Sequence, residues 1–150
     1  MSAGNGDRPT LPPPRSTGRI THKQFGDAME HYVISSLGLA GIPASKMPDN
    51  WPGYDVLAQP HHGPPQRINV KARRFPVSHP TFSADFDSEW EWLALVGHFT
   101  ELRKVRCWLL PRAVAKLLAR KRVSGPHRIS LAQLDEQGAK WEDNFSLRRP

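Results

Sequence analysis

Tyr54-Asp55-Val56-Leu57-Ala58, a Pro/Gly/His loop, and Arg67-Ile68-Asn69-Val70-Lys71-Ala72-Arg73-Arg74 form the stretch from which the rest of the chain is read. Both runs are short, rich in β-formers and bounded by Gly and Pro, which marks two strands. Gln59-Pro60-His61-His62-Gly63-Pro64-Pro65-Gln66 is the polar turn between them. Successive side chains of a strand point to opposite faces. Ile68 and Val70 therefore share one face, and Asn69 and Lys71 share the other. Asp55 alternates with Val56. If the apolar faces enter one core, Asp55, Asn69 and Lys71 meet on the far side: a carboxylate, an amide and an ammonium group on one patch of sheet.

Upstream, Thr21 to Leu39 carries Phe25, Ala28, Met29, Tyr32, Val33, Ser36 and Leu37 at the i, i+3, i+4, i+7 rhythm of one buried helical stripe. Thr21 is a good N-cap, and Gly38 and Gly41 mark the end. Glu30 lies on the flank of the stripe, where it is either a solvated surface carboxylate or part of a site. Gly41 to Gly53 reads as a connection, and Asp49 within it is a substitute for the role of Asp55. Residues 1–18 hold Pro, Gly, Ser, Asn and Arg with almost no apolar content, the composition of a disordered arm. Residues 19–150 then form a single domain.

Downstream, a Pro- and Ser-rich segment runs to about Asp87. Trp92-Leu93-Ala94-Leu95-Val96 is apolar throughout, as in a strand covered on both faces. Arg106-Cys107-Trp108-Leu109-Leu110 is the next strand, and Pro111 opens a helix. Ala113, Val114, Leu117 and Leu118 form that helix's expected buried stripe. Arg112, Lys116, Arg120, Lys121 and Arg122 make its other face basic, either as solvated charge or as a nucleic-acid surface. His127 to Leu131 is an expected edge strand, and Trp141 and Phe145 are expected to pack a C-terminal segment onto the domain. Trp90, Trp92 and Trp108 read as core rather than as base-stacking platforms.

One hundred and fifty residues suit one domain with one core. The formal net charge of +7 points to an anionic partner, in the first place nucleic acid. The single cysteine, Cys107, excludes an internal disulfide or a Cys-based zinc site and reads as a small buried hydrophobe. His61 and His62 are adjacent in an irregular loop without further ligands at useful spacing, so they read as exposed rather than metal-binding. The sequence shows neither a membrane-spanning apolar run nor a signal pattern. The expectation is a cytoplasmic protein, or one associated with the nucleoid.

Glu30 on a helix, Asp55 at the start of a strand, and Asn69-Val70-Lys71 on a second strand resemble the PD-(D/E)XK, or restriction endonuclease-like, nuclease superfamily. The resemblance spans roughly Phe25 to Leu110. Asn69 stands where that family has Glu or, less often, Gln. The resemblance implies an α/β fold: a three-layer sandwich with a central mixed four- to five-stranded sheet flanked by helices. It implies a metal-dependent endonuclease acting on DNA, with Mg²⁺ as cofactor, Mn²⁺ as a substitute and no nucleotide cofactor. By position, Asp55, Asn69 and the Val70 carbonyl would bind metal, Glu30 would assist, and Lys71 would orient or activate the attacking water. Lys23, Arg73, Arg74, Lys116 and Arg120 would contact nucleic acid. A homodimer or larger complex fits a family whose members cut two strands. Two other readings stay open: a non-catalytic DNA- or RNA-binding module or subunit with a decayed site, and a protein-interaction domain with an incidental basic face. Cleavage restricted to branched DNA would mark a resolvase-like variant of the first reading.

Overall fold

A computed structural model of the chain describes residues 18–150, so the expected disordered arm lies, but for Gly18, outside the described residues. The first helix, α1 (His22–Leu39), starts as its sequence predicts. Thr21 accepts the Gln24 amide on its hydroxyl, and the Gln24 side chain reaches back to the Thr21 amide. Each thereby satisfies a donor that the first helical turn leaves without a partner. Phe25, Met29, Val33 and Leu37 are its buried line, while Ala28 is exposed on the edge of the stripe.

The strands β1 (Ala44–Lys46), β2 (Val56–Ala58), β3 (Gln66–Phe75), β5 (Trp92–Phe99) and β6 (Lys104–Pro111) form one sheet in the order β1-β2-β3-β5-β6, with β4 (Thr81–Ala84) lying outside it. The β3–β5 pair is parallel and every other pair is antiparallel, which makes the sheet mixed as expected. β1 is an additional strand in what the sequence presents as a connection. Asp55 precedes β2 instead of lying inside it, and β3 starts one residue earlier than the sequence suggests, at Gln66.

Alternation along β3 sorts the core into two halves. Ile68, with Val70 and Ala72 beside it, joins Val56, Ala58, Trp92, Ala94, Cys107 and the buried line of α1. Phe75 joins Phe82, Leu93, Leu95, Trp108 and Leu110 on the other face. β5 is buried from Trp92 through Gly97, as its uniformly apolar sequence requires. Trp90, Trp92, Trp108 and Cys107 are all core.

The second face departs from the expectation of helices alone. β4, in the Pro- and Ser-rich segment, pairs antiparallel with β7 (His127–Ser130) as a separate two-stranded sheet. The expected edge strand 127–131 therefore belongs to this small sheet, and Leu131 instead begins α3 (Leu131–Gln137). Pro111 ends β6 and stands at the N-cap position of α2 (Arg112–Leu118), where it makes no side-chain capping bond. The buried positions of α2 are Ala115 and Leu118, whereas Ala113 and Leu117 are exposed. Seven residues make only about two turns, so the apolar stripe can be read in more than one register, and the packing partner selects among them. Trp141, in a 3-10 turn (Ala139–Trp141), and Phe145 pack the C-terminal segment against the two halves of the core.

Candidate functional site

β2 is paired with β3 only from Gln66 to Ile68. Where the two strands part, the Gly53–Asp55 segment takes over. The Asp55 amide donates to the Ile68 carbonyl at 3.0 Å, and Asp55 Oδ2 accepts the Val70 amide at 2.7 Å. Asn69 Nδ2 donates to the Gly53 carbonyl at 3.2 Å. Gly53 has φ of +91°, a left-handed conformation that other residues adopt reluctantly. The Met47 amide binds the Asp55 carbonyl at 2.8 Å and ties the end of β1 to the same point. β3 and the end of β1 thus both bind Asp55, and the Val70 amide is the one of these donors that reaches its carboxylate.

Glu30 faces this point from α1. Its carboxyl is pushed above the ordinary range, first by burial and then by the negative charge of Asp55, with Lys46 opposing the shift. A carboxylate close to another negative charge and partly shielded from water is harder to ionise. Lys46 reaches into the group: its Nζ lies 3.4 Å from Glu30 Oε2, 3.4 Å from Asp27 Oδ1 and 3.1 Å from Asp49 Oδ1. These contacts hold the ammonium well above its usual pKa, the hydrogen bond to Asp49 most of all. Glu30, Lys46, Asp49, Trp51, Tyr54 and Asp55 line a small cavity of about 160 Å³.

Asn69 is 7% exposed, and its Oδ1 has no hydrogen-bond partner among the described residues. A buried acceptor without a donor is uncommon in a folded chain. Lys71 follows on the same face of β3, half-buried, and forms no ion pair with a described carboxylate. Asp85 is its electrostatic neighbour: the Ser88 hydroxyl and the Asp87 amide hold that carboxyl low, and the charge of Lys71 adds to the effect.

The other basic candidates divide. Lys23 is paired with Asp27 at 2.9 Å and Asp49 at 3.1 Å. Arg73 donates to the Thr81 carbonyl at 2.8 Å, and Arg74 lies over the Phe25 ring at 4.6 Å. Lys116 and Arg120 are exposed and make no ion pair with a described carboxylate. Sequence reasoning missed Lys46 and Trp51. Ala44-Ser45-Lys46 is too short to signal a strand, although Asp27 and Glu30, three apart on one flank of a helix, were a visible hint of an acidic edge. Asp49, kept as a substitute for Asp55, lies at the rim of the same cavity. His61 and His62 are exposed. Among the described residues no three His, Cys, Asp or Glu side chains form a ready metal-ligand cluster. No helix among them is long and apolar enough to cross a membrane.

No protein-family model matches the chain, and no curated protein matches it. Among solved structures, the fold is similar to that of a bacterial homing endonuclease, I-Ssp6803I, with a TM-score of 0.60 and 15% sequence identity. The likeness covers 86% of this chain and 91% of that one.

Proposed function

We propose that the chain is a metal-dependent nuclease of PD-(D/E)XK type that hydrolyses phosphodiester bonds in DNA. The observation that carries this reading is the bond from the Val70 amide to Asp55, which sets the carboxylate one residue from Lys71 and beside Glu30. The likeness in fold to a homing endonuclease supports it.

The donor set suits a hard cation. Asp55 and Glu30 offer carboxylates, and Asn69 offers a buried amide oxygen that lacks a donor. Val70 adds its carbonyl: the N–H and C=O of one strand residue leave on the same edge, and the Val70 amide points to Asp55, beyond the last β3 residue paired with β2. Mg²⁺ takes oxygen ligands and keeps several waters, so a short protein set is enough, and Mn²⁺ accepts similar ligands. Such an ion would lower the pKa of a bound water and neutralise charge on the attacked phosphate. Asp55 and Asn69 would hold it, with Glu30 auxiliary. Lys71 orients the attacking water or stabilises the charge that develops on the phosphate.

Asn69 favours one second reading, binding without cleavage. An amide carries no formal charge, and Lys46 already neutralises part of the acidic group. The test is incubation of plasmid and branched DNA with Mg²⁺, with Mn²⁺ and with chelator, beside Lys71→Ala. Metal-dependent cleavage that disappears in the variant is the expected result. Retention of DNA with no cleavage in any metal would select the second reading.

A further inference from the structure

The net positive charge of this protein is concentrated in one segment. Arg112 to Leu134 holds six Lys or Arg residues and no Asp or Glu, so it accounts for six of the seven net charges. The fold gives this segment a shape. The Arg120 amide donates to the Arg128 carbonyl at 2.8 Å, and the Arg128 amide donates to the Arg120 carbonyl at 2.9 Å. This antiparallel bridge closes a loop whose residues 121–126 are all exposed, Val123 fully so. Gly125, at φ +92°, makes its turn.

Among the described residues the loop's cations are free of ion pairing, as are Lys116 and Arg120 beside them. Lys23, Lys46, Arg67 and Arg106 are paired with the protein's own carboxylates. Lys121 and Arg122 pair with no described carboxylate. The base of the loop is also tied to the candidate site. His127 is paired with Ala84 of β4 and packs edge-on against Phe86 at 5.2 Å, so it brackets Asp85, the electrostatic neighbour of Lys71.

We infer that the loop closed by Arg120 and Arg128 enters a groove of duplex DNA, with Lys121 and Arg122 contacting its phosphates and Val123 at its tip. A loop closed by an antiparallel bridge is about as wide as a two-stranded ribbon, which the major groove of B-form DNA admits and the deep, narrow groove of duplex RNA does not. Arg112 to Leu134 contains no Phe, Trp or Tyr, the larger rings on which unpaired bases stack, and its one imidazole, His127, is already packed against Phe86. The inference rests on the nuclease reading in taking DNA as the nucleic acid, and it adds the strandedness and the surface.

The experiment is fluorescence anisotropy with a short labelled duplex, in chelator, over a series of KCl concentrations. It compares the full chain, the pair Lys121→Ala/Arg122→Ala, and a control pair with the same charge change where the β5–β6 turn meets β6, Arg103→Ala/Lys104→Ala. Each phosphate contact contributes about 0.9 to the slope of log affinity against log salt, so the loop pair should flatten the slope by about 1.8 and weaken binding by tenfold or more at moderate salt. The control pair should leave the slope near that of the wild type, and the unlabelled single strand should compete poorly. Equal losses in both pairs, an unchanged slope in the loop pair, single-strand competition equal to that of duplex, or no binding by the wild type at low salt would each overturn the inference. Because binding is read without metal, duplex binding through the loop with no cleavage in any metal would sink the nuclease reading alone.

Discussion

Asp55 Oδ2 accepts the backbone amide of Val70 at 2.7 Å, across 15 positions of sequence. The carboxylate is therefore placed by a strand backbone rather than by another side chain. It completes the hydrogen bonding of β3 where β2 ends, and it is also the proposed first ligand of the site. The structural bond and the proposed chemistry share one carboxylate, and the variants of Asp55 separate the two roles.

Asp55→Ala leaves the half-buried Val70 amide without its acceptor, which should cost about 1–2 kcal/mol. Asp55→Asn can keep an acceptor in that place and should cost less than half as much, while removing the charge. Thermal unfolding should rank them wild type, Asn, Ala. Plasmid nicking should be lost in both. Equal stability of all three would mean that the bond contributes nothing to the fold.

Asn69→Asp places a third carboxylate in the site. Aspartate cannot donate to the Gly53 carbonyl, so the variant should lose about 1 kcal/mol of stability in chelator. Calorimetric titration with Mn²⁺ should show tighter binding than in the wild type. An unchanged affinity would remove Asn69 from the ligand set.

The Glu30 carboxyl is held above its ordinary range by burial and by Asp55, so the fold favours its protonated form. The wild type should therefore lose stability relative to Glu30→Gln as pH rises from the ordinary carboxylate range through the raised value. In chelator near neutral pH the Gln variant should melt higher, by on the order of 1–3 °C, and the two should coincide near about pH 4. A lower melting temperature for the variant at neutral pH would show that the Lys46 contact outweighs burial.

Glu142 titrates in the opposite sense. Its carboxyl is held below the ordinary range chiefly by Arg106, which it meets at 2.8 Å and 3.1 Å, while Arg106 also binds Asp135 at 2.9 Å and lies over the Trp108 ring at 4.5 Å. This contribution is present above the ordinary carboxylate range and is lost as pH falls through the depressed value. Glu142→Gln should cost about 1–2 kcal/mol at neutral pH, and the deficit should shrink below about pH 4. A deficit independent of pH would assign the loss to packing.

Gly97 lies on β5 beside the edges of the Phe75 and Phe99 rings, which stack with centroids 4.9 Å apart. A Cβ there would sit 3.0 Å from each ring. Gly97→Ala should destabilise by about 1–3 kcal/mol through overpacking, with cleavage per folded molecule unchanged. Urea unfolding measures it, and a neutral effect would mean that the two rings separate freely.

The elements that sequence alone determined are those with a local periodic code. The line Phe25, Met29, Val33, Leu37, the two-residue alternation of Ile68, Asn69, Val70 and Lys71, and the unbroken apolar run at Trp92 each specify an element and its buried face, because side-chain direction follows from backbone period. The charge segregation of Arg112 to Leu134 was equally open to reading. Tertiary structure alone decided the rest. β1 and β4 are three and four residues long, too short for a period to show, and they exist because partner strands supply their hydrogen bonds. The buried face of α2 depends on what packs against two turns of helix. Lys46 meets Asp27 and Glu30 only because β1 folds against α1. Position along a chain records residue type and local direction; ion pairs and site geometry depend on distances between segments, and those exist only after the chain has closed on itself.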